Sequence, residues 1–475
     1  MRTAQQPTFS KASAGASAHR ATSSGTAAVP NPESTKRANT AHLSLPFFDT
    51  VHREIGHCLA DWLPQQHVDE TKDRAACKAW VRLLGAHGWL RYCVPAGPGG
   101  AWGGAFEQLD SRALVVLREN LAYHSPLADF AFAMQGLGSG PVSLAGSPEL
   151  RAKYLGAVAR GDMIAAFALS EPDAGSDAGA MTTRAIAKST ATTKATTTTT
   201  TPTTVGATID DATKIVAACA YSTVAAGQNT YHISGCKTWV SNGGMADFYV
   251  VFAKTAPELG TRGISAFMVD ADTPGLDASE HIQVMAPHPL ATLRFDNCAV
   301  PAAHLLGLEN QGFKLAMQTL DIFRASVAAA ALGFARRALD EAVHYAQHRK
   351  MFKQSLADFQ LTQAKLGEMA ALIDAGALLT YRAAWMRDVA MPAGAATRAQ
   401  YTAAAAMAKM TATENASKVI DMALQMHGGM GVKVGTRIES LYRDIRALRI
   451  YEGATEVQQL IIGKSVLSGV LGSVG

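Results

Sequence analysis

The stretch Met163-Ile164-Ala165-Ala166-Phe167-Ala168-Leu169-Ser170-Glu171-Pro172-Asp173-Ala174-Gly175-Ser176-Asp177 divides the chain. Ala165 to Leu169 is an apolar run of strand length, and the residues after it carry turn chemistry, with Pro172, Asp173, Gly175 and two serines. A strand leaving into such a turn frees backbone N–H groups beside the Ser170 and Ser176 hydroxyls, where a polar ligand can be held. Gly175 lets the backbone approach it. The plain alternative is a β-turn capped by its own Asp side chains.

On either side of this stretch the periodicity differs. Upstream, Val51, Ile55, Leu59 and Leu63, then Trp80, Leu83, Leu84, Trp89 and Leu90, recur at helical spacing. Residues 94–100 break the pattern, and helices resume from about 106 to 158. Downstream, short β-branched and aromatic runs at 231–234, 248–253, 264–269 and 291–295 alternate with Gly, Pro, Asn and Asp, as an antiparallel domain requires. From Phe313 the helical period returns, through 313–348, 356–389, 401–427 and a last helix after Gly453. The expected organisation is a disordered tail over 1–44, a helical domain over 45–162, a β domain over 163–302 and a helical bundle over 303–475, an α+β chain.

Two segments fall outside these patterns. Residues 186–227 hold a Thr-rich run without large apolar residues, expected as a surface insertion. The first 44 residues are Ala-, Ser- and Thr-rich with no acid before Glu33, fitting an organelle transit peptide, a plain disordered tail or a start codon set too early. The bacterial cytoplasm is the expected compartment, with the mitochondrial matrix as the alternative.

At 475 residues and 48% hydrophobic content the chain can bury a large core, and a net charge of +4 advertises no nucleic-acid partner. Six cysteines at 58, 77, 93, 219, 236 and 298 form no CxxC pair, which argues against a zinc site and a disulfide scaffold and leaves no metal expected. The apolar runs are short and interrupted, so no membrane span is expected.

Five further stretches carry side chains suited to chemistry. Lys237-Thr238-Trp239-Val240-Ser241-Asn242-Gly243-Gly244 follows a strand; its tryptophan is a core residue or a ligand platform. Asp321 and Arg324 sit three apart on one helix face, as a surface pair would. Arg349 to Gln360 is a basic turn with aromatics, which caps a helix or binds an anion. Gln425-Met426-His427-Gly428-Gly429-Met430-Gly431 closes a helix with glycines. In Ile450-Tyr451-Glu452-Gly453, a glutamate before glycine is either a solvated helix end or a carboxylate kept for acid–base work.

Together these stretches resemble the acyl-CoA dehydrogenase family from about residue 45 to 470, apart from the Thr-rich insertion. A further match at the expected distance is Leu441-Tyr442-Arg443-Asp444. The resemblance implies a helical N-terminal domain, a middle β domain and a C-terminal four-helix bundle, assembled as a homotetramer or homodimer. It implies FAD bound by Leu169, Ser170, Ser176, Trp239, Ser241, Arg349, Phe352, Gln360, Gln425, Gly428 and Gly429, partly across a subunit interface. It also implies an acyl-CoA substrate touching Ser176, Asp321, Arg324, Tyr451 and Gly453, with Glu452 as the base.

The reaction so implied is α,β-dehydrogenation: Glu452 takes the α-proton, flavin N5 takes the β-hydride, and electrons pass to an electron-transfer flavoprotein. The Glu452 N–H and a flavin hydroxyl would stabilise the thioester oxygen, with solvent excluded. The chain departs from the family at several places. Ser241 stands where threonine is common, which keeps the hydroxyl, and Met351 replaces a usually polar residue. Lys353 and Gly435 stand where glycine and an acid are usual. Phe323 occupies the place where some relatives carry their base. The rival readings are a flavin oxidase on the same fold and a non-catalytic CoA- or flavin-binding protein.

Overall fold

The structure is a computed structural model that describes residues 36–189 and 229–471. The expectations for residues 1–35 and 190–228 lie outside it. Residues 36–44, which the expected tail includes, are tied to the fold, with Leu43 as an apolar anchor 1% exposed and Lys36 reaching Glu341 at 2.9 Å.

The N-terminal helices are α1 (Thr50–Trp62), α2 (Asp73–Ala86), α3 (Ser111–His124), α4 (Pro126–Ala145) and α5 (Pro148–Arg160). Their ends follow capping rules. Ser125 accepts from Ala128 N–H with Pro126 in the first turn, Ser147 does the same for α5, and Gly161 closes α5 at φ 74°. α3 and most of α4 are buried along their whole circumference, which is why both lack a polar face in the sequence.

Seven strands form the middle sheet: β1 (Ala165–Ala168), β2 (Arg184–Ser189), β3 (Asn229–Ser241), β4 (Phe248–Lys254), β5 (Ile264–Asp270), β6 (Leu276–Ile282) and β7 (Leu290–Pro301). The order is β1-β4-β2-β3-β7-β6, with β5 also on β4. The long pairings are antiparallel, as patterned. β1 instead runs parallel to β4, Ala165 opposite Phe248, and Arg184 of β2 pairs parallel with Lys254. β1 arrives from the helical layer, and no hairpin dictates its direction. β2 extends to Ser189, so strand occupies the first residues of the stretch expected as an insertion. β6 went unpredicted because Leu-Asp-Ala-Ser-Glu-His-Ile is mostly exposed at the sheet edge and has no apolar alternation.

The C-terminal part is α6 (Gly312–His348), a small hairpin β8 (Lys350–Met351) and β9 (Gln354–Ser355), α7 (Gln360–Trp385) ending in a π-turn at Met386–Ala390, α8 (Arg398–His427), α9 (Arg437–Leu448) and α10 (Thr455–Leu467). α6, α7 and α8 pack on one another, α10 packs on α8, and α3 packs on α6. α6 does hold an 18-residue window apolar enough to cross a membrane, but 89% of it is buried within the fold, so its apolarity serves the core.

α3 and α6 approach closely where α6 carries Ala328, Ala329, Ala330 and Gly333. A Cβ on Gly333 would lie 2.3 Å from the Glu119 carbonyl and 2.9 Å from the Tyr123 nitrogen, so backbone itself fills the space. Gly333→Val therefore should destabilise the fold by at least ~1–3 kcal/mol, the usual cost of overpacking. Denaturant unfolding of the two proteins side by side measures this.

Candidate active site

Seven non-glycine residues among those described have positive φ: Trp239, Asn242, Asn297, Asn310, Phe352, Lys353 and Glu452. Five of them fall inside stretches that the sequence singled out. Left-handed backbone costs a residue with a Cβ ~1 kcal/mol or more, and survives where surrounding structure enforces it. Within those stretches the strain marks three places.

The first is the end of β3. A bulge between Lys237 and Val240 puts Trp239 at φ 58°, and its side chain is turned out to 59% exposure. Beneath it Lys237 is fully buried. Its ammonium donates to the Leu169 carbonyl at 2.9 Å and to Glu171 at 2.8 Å. Glu171 also accepts from Thr182 N–H and Oγ and from Thr183 N–H. Burial works against the charged carboxylate, but Lys237 and these donors outweigh it and hold the group at about 2; burial lowers Lys237 to about 8. Thr238 N–H donates to the Ser170 carbonyl at 3.0 Å. The two stretches carrying Ser170 and Trp239 are thereby bolted together from below. Leu169 itself is core, with its carbonyl taken; Ser170 and Ser241 are half-buried and Ser176 is exposed.

The second is the hairpin after α6. Phe352 and Lys353 have φ 47° and 68°, the paired left-handed geometry of a two-residue turn between β8 and β9. This explains why glycine suits position 353 and what lysine there costs. Phe352 is 82% exposed, and Arg349, Gln360, Gln425, Gly428 and Gly429 are exposed as well. Tyr345 stacks on His427 at 4.4 Å, so the Arg349 turn and the Gln425–Gly429 loop share one end of the bundle. A Cβ at Gly428 or Gly429 would meet nothing within 4 Å, leaving that backbone open to a ligand.

The third is Glu452, at φ 53° between α9 and α10 and followed by Gly453 at φ 91°. Part of the residue reaches the surface, but its Oε2 is sealed off and has no hydrogen-bond partner. Burial pushes its carboxyl above the usual range, against the pull of Arg118, Lys409 and Arg324. Among the described residues, no backbone acceptor pairs with the Glu452 N–H, whereas Ile450 and Tyr451 both donate to Ala447.

Arg324 lies on α6 in an ion pair with Asp321. Asp321 is fixed in turn by Thr402 Oγ at 3.1 Å, while Tyr401 donates to its backbone carbonyl at 2.6 Å. Phe323 fills the notch over Gly136 and Gly140 of α4, its ring 2.7 Å from where a Gly136 Cβ would stand.

Sequence reasoning missed the groups packed around Glu452. Arg118 of α3, 2% exposed, grips Asp129 of α4 with two bonds of 2.8 and 2.7 Å and reaches Ser326 at 3.0 Å, and its charge acts on the Tyr451 phenol. Burial disfavours its charge, but Asp129 keeps it firmly protonated. Lys409 of α8 and Gln458 of α10, both fully buried, donate to the Gly453 carbonyl at 2.7 and 2.8 Å. The available signal was a charge directly after an apolar run, as in Leu114-Val115-Val116-Leu117-Arg118 or Ala404-Ala405-Ala406-Met407-Ala408-Lys409.

α4 brings the first and third places together. Asp129 pairs with Arg118 near Glu452, while its neighbour Phe130 stacks at 4.8 Å on His288. Next to that, Pro289 accepts from Asn242 N–H, directly after Ser241. The second place is remote: the 24 residues of α6 between Arg324 and His348 span about 36 Å at a rise of ~1.5 Å per residue. That is further than one extended dinucleotide reaches. A cavity of about 570 Å³ beside α9 is lined by Glu70, Pro126, Met285, Arg443 and Asp444 but touches none of the three places. Arg443 docks α9 onto the loop between β6 and β7 through the Met285 carbonyl at 2.9 Å.

Comparison with known proteins covers all three parts of the chain. The sequence models of the acyl-CoA dehydrogenase N-terminal, middle and C-terminal domains match residues 51–162, 204–298 and 310–467. A 3-(aryl)acrylate reductase of Clostridium sporogenes is 34% identical over 89% of this chain and 100% of its own length. The mitochondrial short-chain specific acyl-CoA dehydrogenase of Homo sapiens is 34% identical over 82% of each. A crystal structure of an acyl-CoA dehydrogenase complexed with FAD from Bacillus anthracis superposes with a TM-score of 0.74 at 26% identity, covering 92% of this chain and 71% of that one.

Proposed function

Because the chain belongs to the FAD-dependent acyl-CoA dehydrogenase family of oxidoreductases, we propose that it desaturates an acyl-CoA thioester between the α- and β-carbons, with Glu452 as the base. The observation that carries this reading is the Glu452 carboxyl, whose Oε2 is buried without a hydrogen-bond partner on a strained turn. A carboxylate so placed is more basic than in water and takes a weakly acidic α-proton near neutral pH. The free N–H of Glu452 is a donor for the thioester oxygen as charge develops there.

FAD, when bound, accepts the β-hydrogen as hydride. The residues present fit it: the out-turned Trp239 with Ser241, Ser170 and Ser176 for the ring system, and Arg349, Phe352, Gln360, Gln425, Gly428 and Gly429 for the phosphates and adenosine. Since the second set lies at the far end of the bundle, it serves a flavin whose ring sits on another copy. This supports a homo-oligomer, which we propose is a tetramer. Electrons then leave to an electron-transfer flavoprotein.

Tyr451, whose phenol feels the Arg118 charge, and Phe323, seated on Gly136 and Gly140, make the surroundings of the base bulky, which favours a short or branched acyl group in contact with Asp321, Arg324 and Gly453. Anaerobic mixing of the purified protein with acyl-CoAs of graded length and branching tests the proposal through the flavin absorbance. Bleaching by the short or branched class is expected. A yellow protein that no acyl-CoA reduces overturns it, and oxygen uptake with substrate but no added acceptor would indicate an oxidase.

A further inference from the structure

The turn that carries Glu452 has two consecutive left-handed residues, and such a turn needs an external restraint. Gly453 takes φ 91° freely, but Glu452 at 53° does not. Two buried donors converge on it. Lys409 Nζ meets the Gly453 carbonyl at 2.7 Å, and Gln458 Nε2 meets the same oxygen at 2.8 Å and the Glu452 carbonyl at 3.3 Å. Any Cβ at position 453 would strike Gln458 Nε2 at 2.4 Å, so the clamp closes directly over the glycine.

Lys409 is fully buried in an alanine-rich stretch of α8, where an ammonium is costly unless it is well used. Its hydrogen bond goes to this carbonyl rather than to a carboxylate. Its charge still acts on Glu452, and Glu452 acts back on it.

We propose that Lys409 is a positioning residue for Glu452: with Gln458 it pins the Gly453 carbonyl, holds the left-handed turn, and so sets where the carboxylate stands and how strongly basic it is. This rests on Glu452 being the base. The groups that face the carboxylate are Arg118 from α3, Asp129 from α4, Arg324 from α6 and Lys409 from α8, with the Tyr451 phenol on its own loop. Lys409 itself also feels Arg324, Glu414 and Glu456. Removing its charge leaves Arg118 and Arg324 in place, so Glu452 should become more basic while losing its fixed position.

The test compares the FAD-loaded Lys409→Met, Lys409→Arg and Gln458→Leu proteins with the parent. Lys409→Met should keep its flavin and its acyl-CoA affinity, yet bleach about 10²-fold more slowly, since a misplaced group ~1 Å off costs that much. The acidic limb of its pH–rate profile should move to higher pH. Lys409→Arg should recover part of the rate and restore the limb, and Gln458→Leu should slow bleaching with less movement of the limb.

Infrared difference titration of the Glu452 carboxyl, assigned by its absence in Glu452→Gln, should show the same upward move in Lys409→Met. That signal is independent of whether any acyl-CoA is a substrate, so it separates failure of the clamp from failure of the dehydrogenase reading. Unchanged bleaching and an unmoved carboxyl titration in Lys409→Met would overturn the proposal. So would a rate loss that merely tracks lost flavin in all three variants.

Discussion

Glu452→Gln should lose flavin bleaching by acyl-CoA almost completely, by ~10²–10⁴-fold, the range a positioned general base supplies. The side chain keeps its size, so flavin content and acyl-CoA binding should persist, and single-turnover absorbance separates binding from chemistry. In the proposed reaction the working form of Glu452 is the carboxylate. Burial raises its pKa, so the rate should fall as pH drops through a value above that of an exposed glutamate.

Stability should respond in the opposite sense. A carboxyl whose folded pKa is raised above its unfolded value contributes stability that is fully present below the unfolded pKa and lost as pH rises through the folded one. At neutral pH the ionised Glu452 is therefore a burden on the fold, and Glu452→Gln should melt no lower than the parent. Loss of activity without loss of stability distinguishes a catalytic carboxylate from a structural one. A variant that melts lower and sheds its flavin would place Glu452 among the structural groups.

Glu171→Gln should do the reverse. It strands the ammonium of Lys237, fully buried at 2.8 Å from the missing charge, and removing one partner of a buried pair costs ~3–5 kcal/mol. The loss falls under the turn carrying Ser170 and behind the bulge carrying Trp239, so weaker FAD retention should accompany the lower stability. Double replacement, Glu171→Gln with Lys237→Met, should recover much of the stability, because the cost comes chiefly from the stranded charge.

The pH sign also differs from that of Glu452. Glu171 is held at about 2, well below its unfolded value, by Lys237 and the Thr182 and Thr183 donors acting against burial. Its contribution is present above the unfolded pKa and is lost as pH falls through the folded one. Acid titration of unfolding should therefore show the parent losing stability below pH ~4.5 more steeply than Glu171→Gln, whose amide cannot take a proton there.

Much of this protein was legible without a fold. The change from period 3.6 to period 2 near Ala165 and back near Phe313 placed the helical, sheet and helical parts. Each of the three strained places lies in a short stretch whose residue types already suggested chemistry. That information is local, because a turn, a bulge or a helix end is specified by the few residues that form it.

Partnership between distant segments was not legible. Arg118 reads as a charge ending an apolar run, next to Glu119, and nothing beside it names Asp129, Ser326 or Tyr451, which come from α4, α6 and the turn before α10. Lys409 and Gln458 likewise meet only because α8 and α10 pack with one particular register. β6, with no apolar alternation, is a strand only because β7 offers it an edge. The order of layers and the residue proposed as the base could be read from residue order alone, since both rest on periodicities and motifs that few residues define. How that base is held and charged required the folded chain. Which side chains surround a buried carboxylate depends on the rotation and register of four packed helices, and those are settled by packing across the whole core.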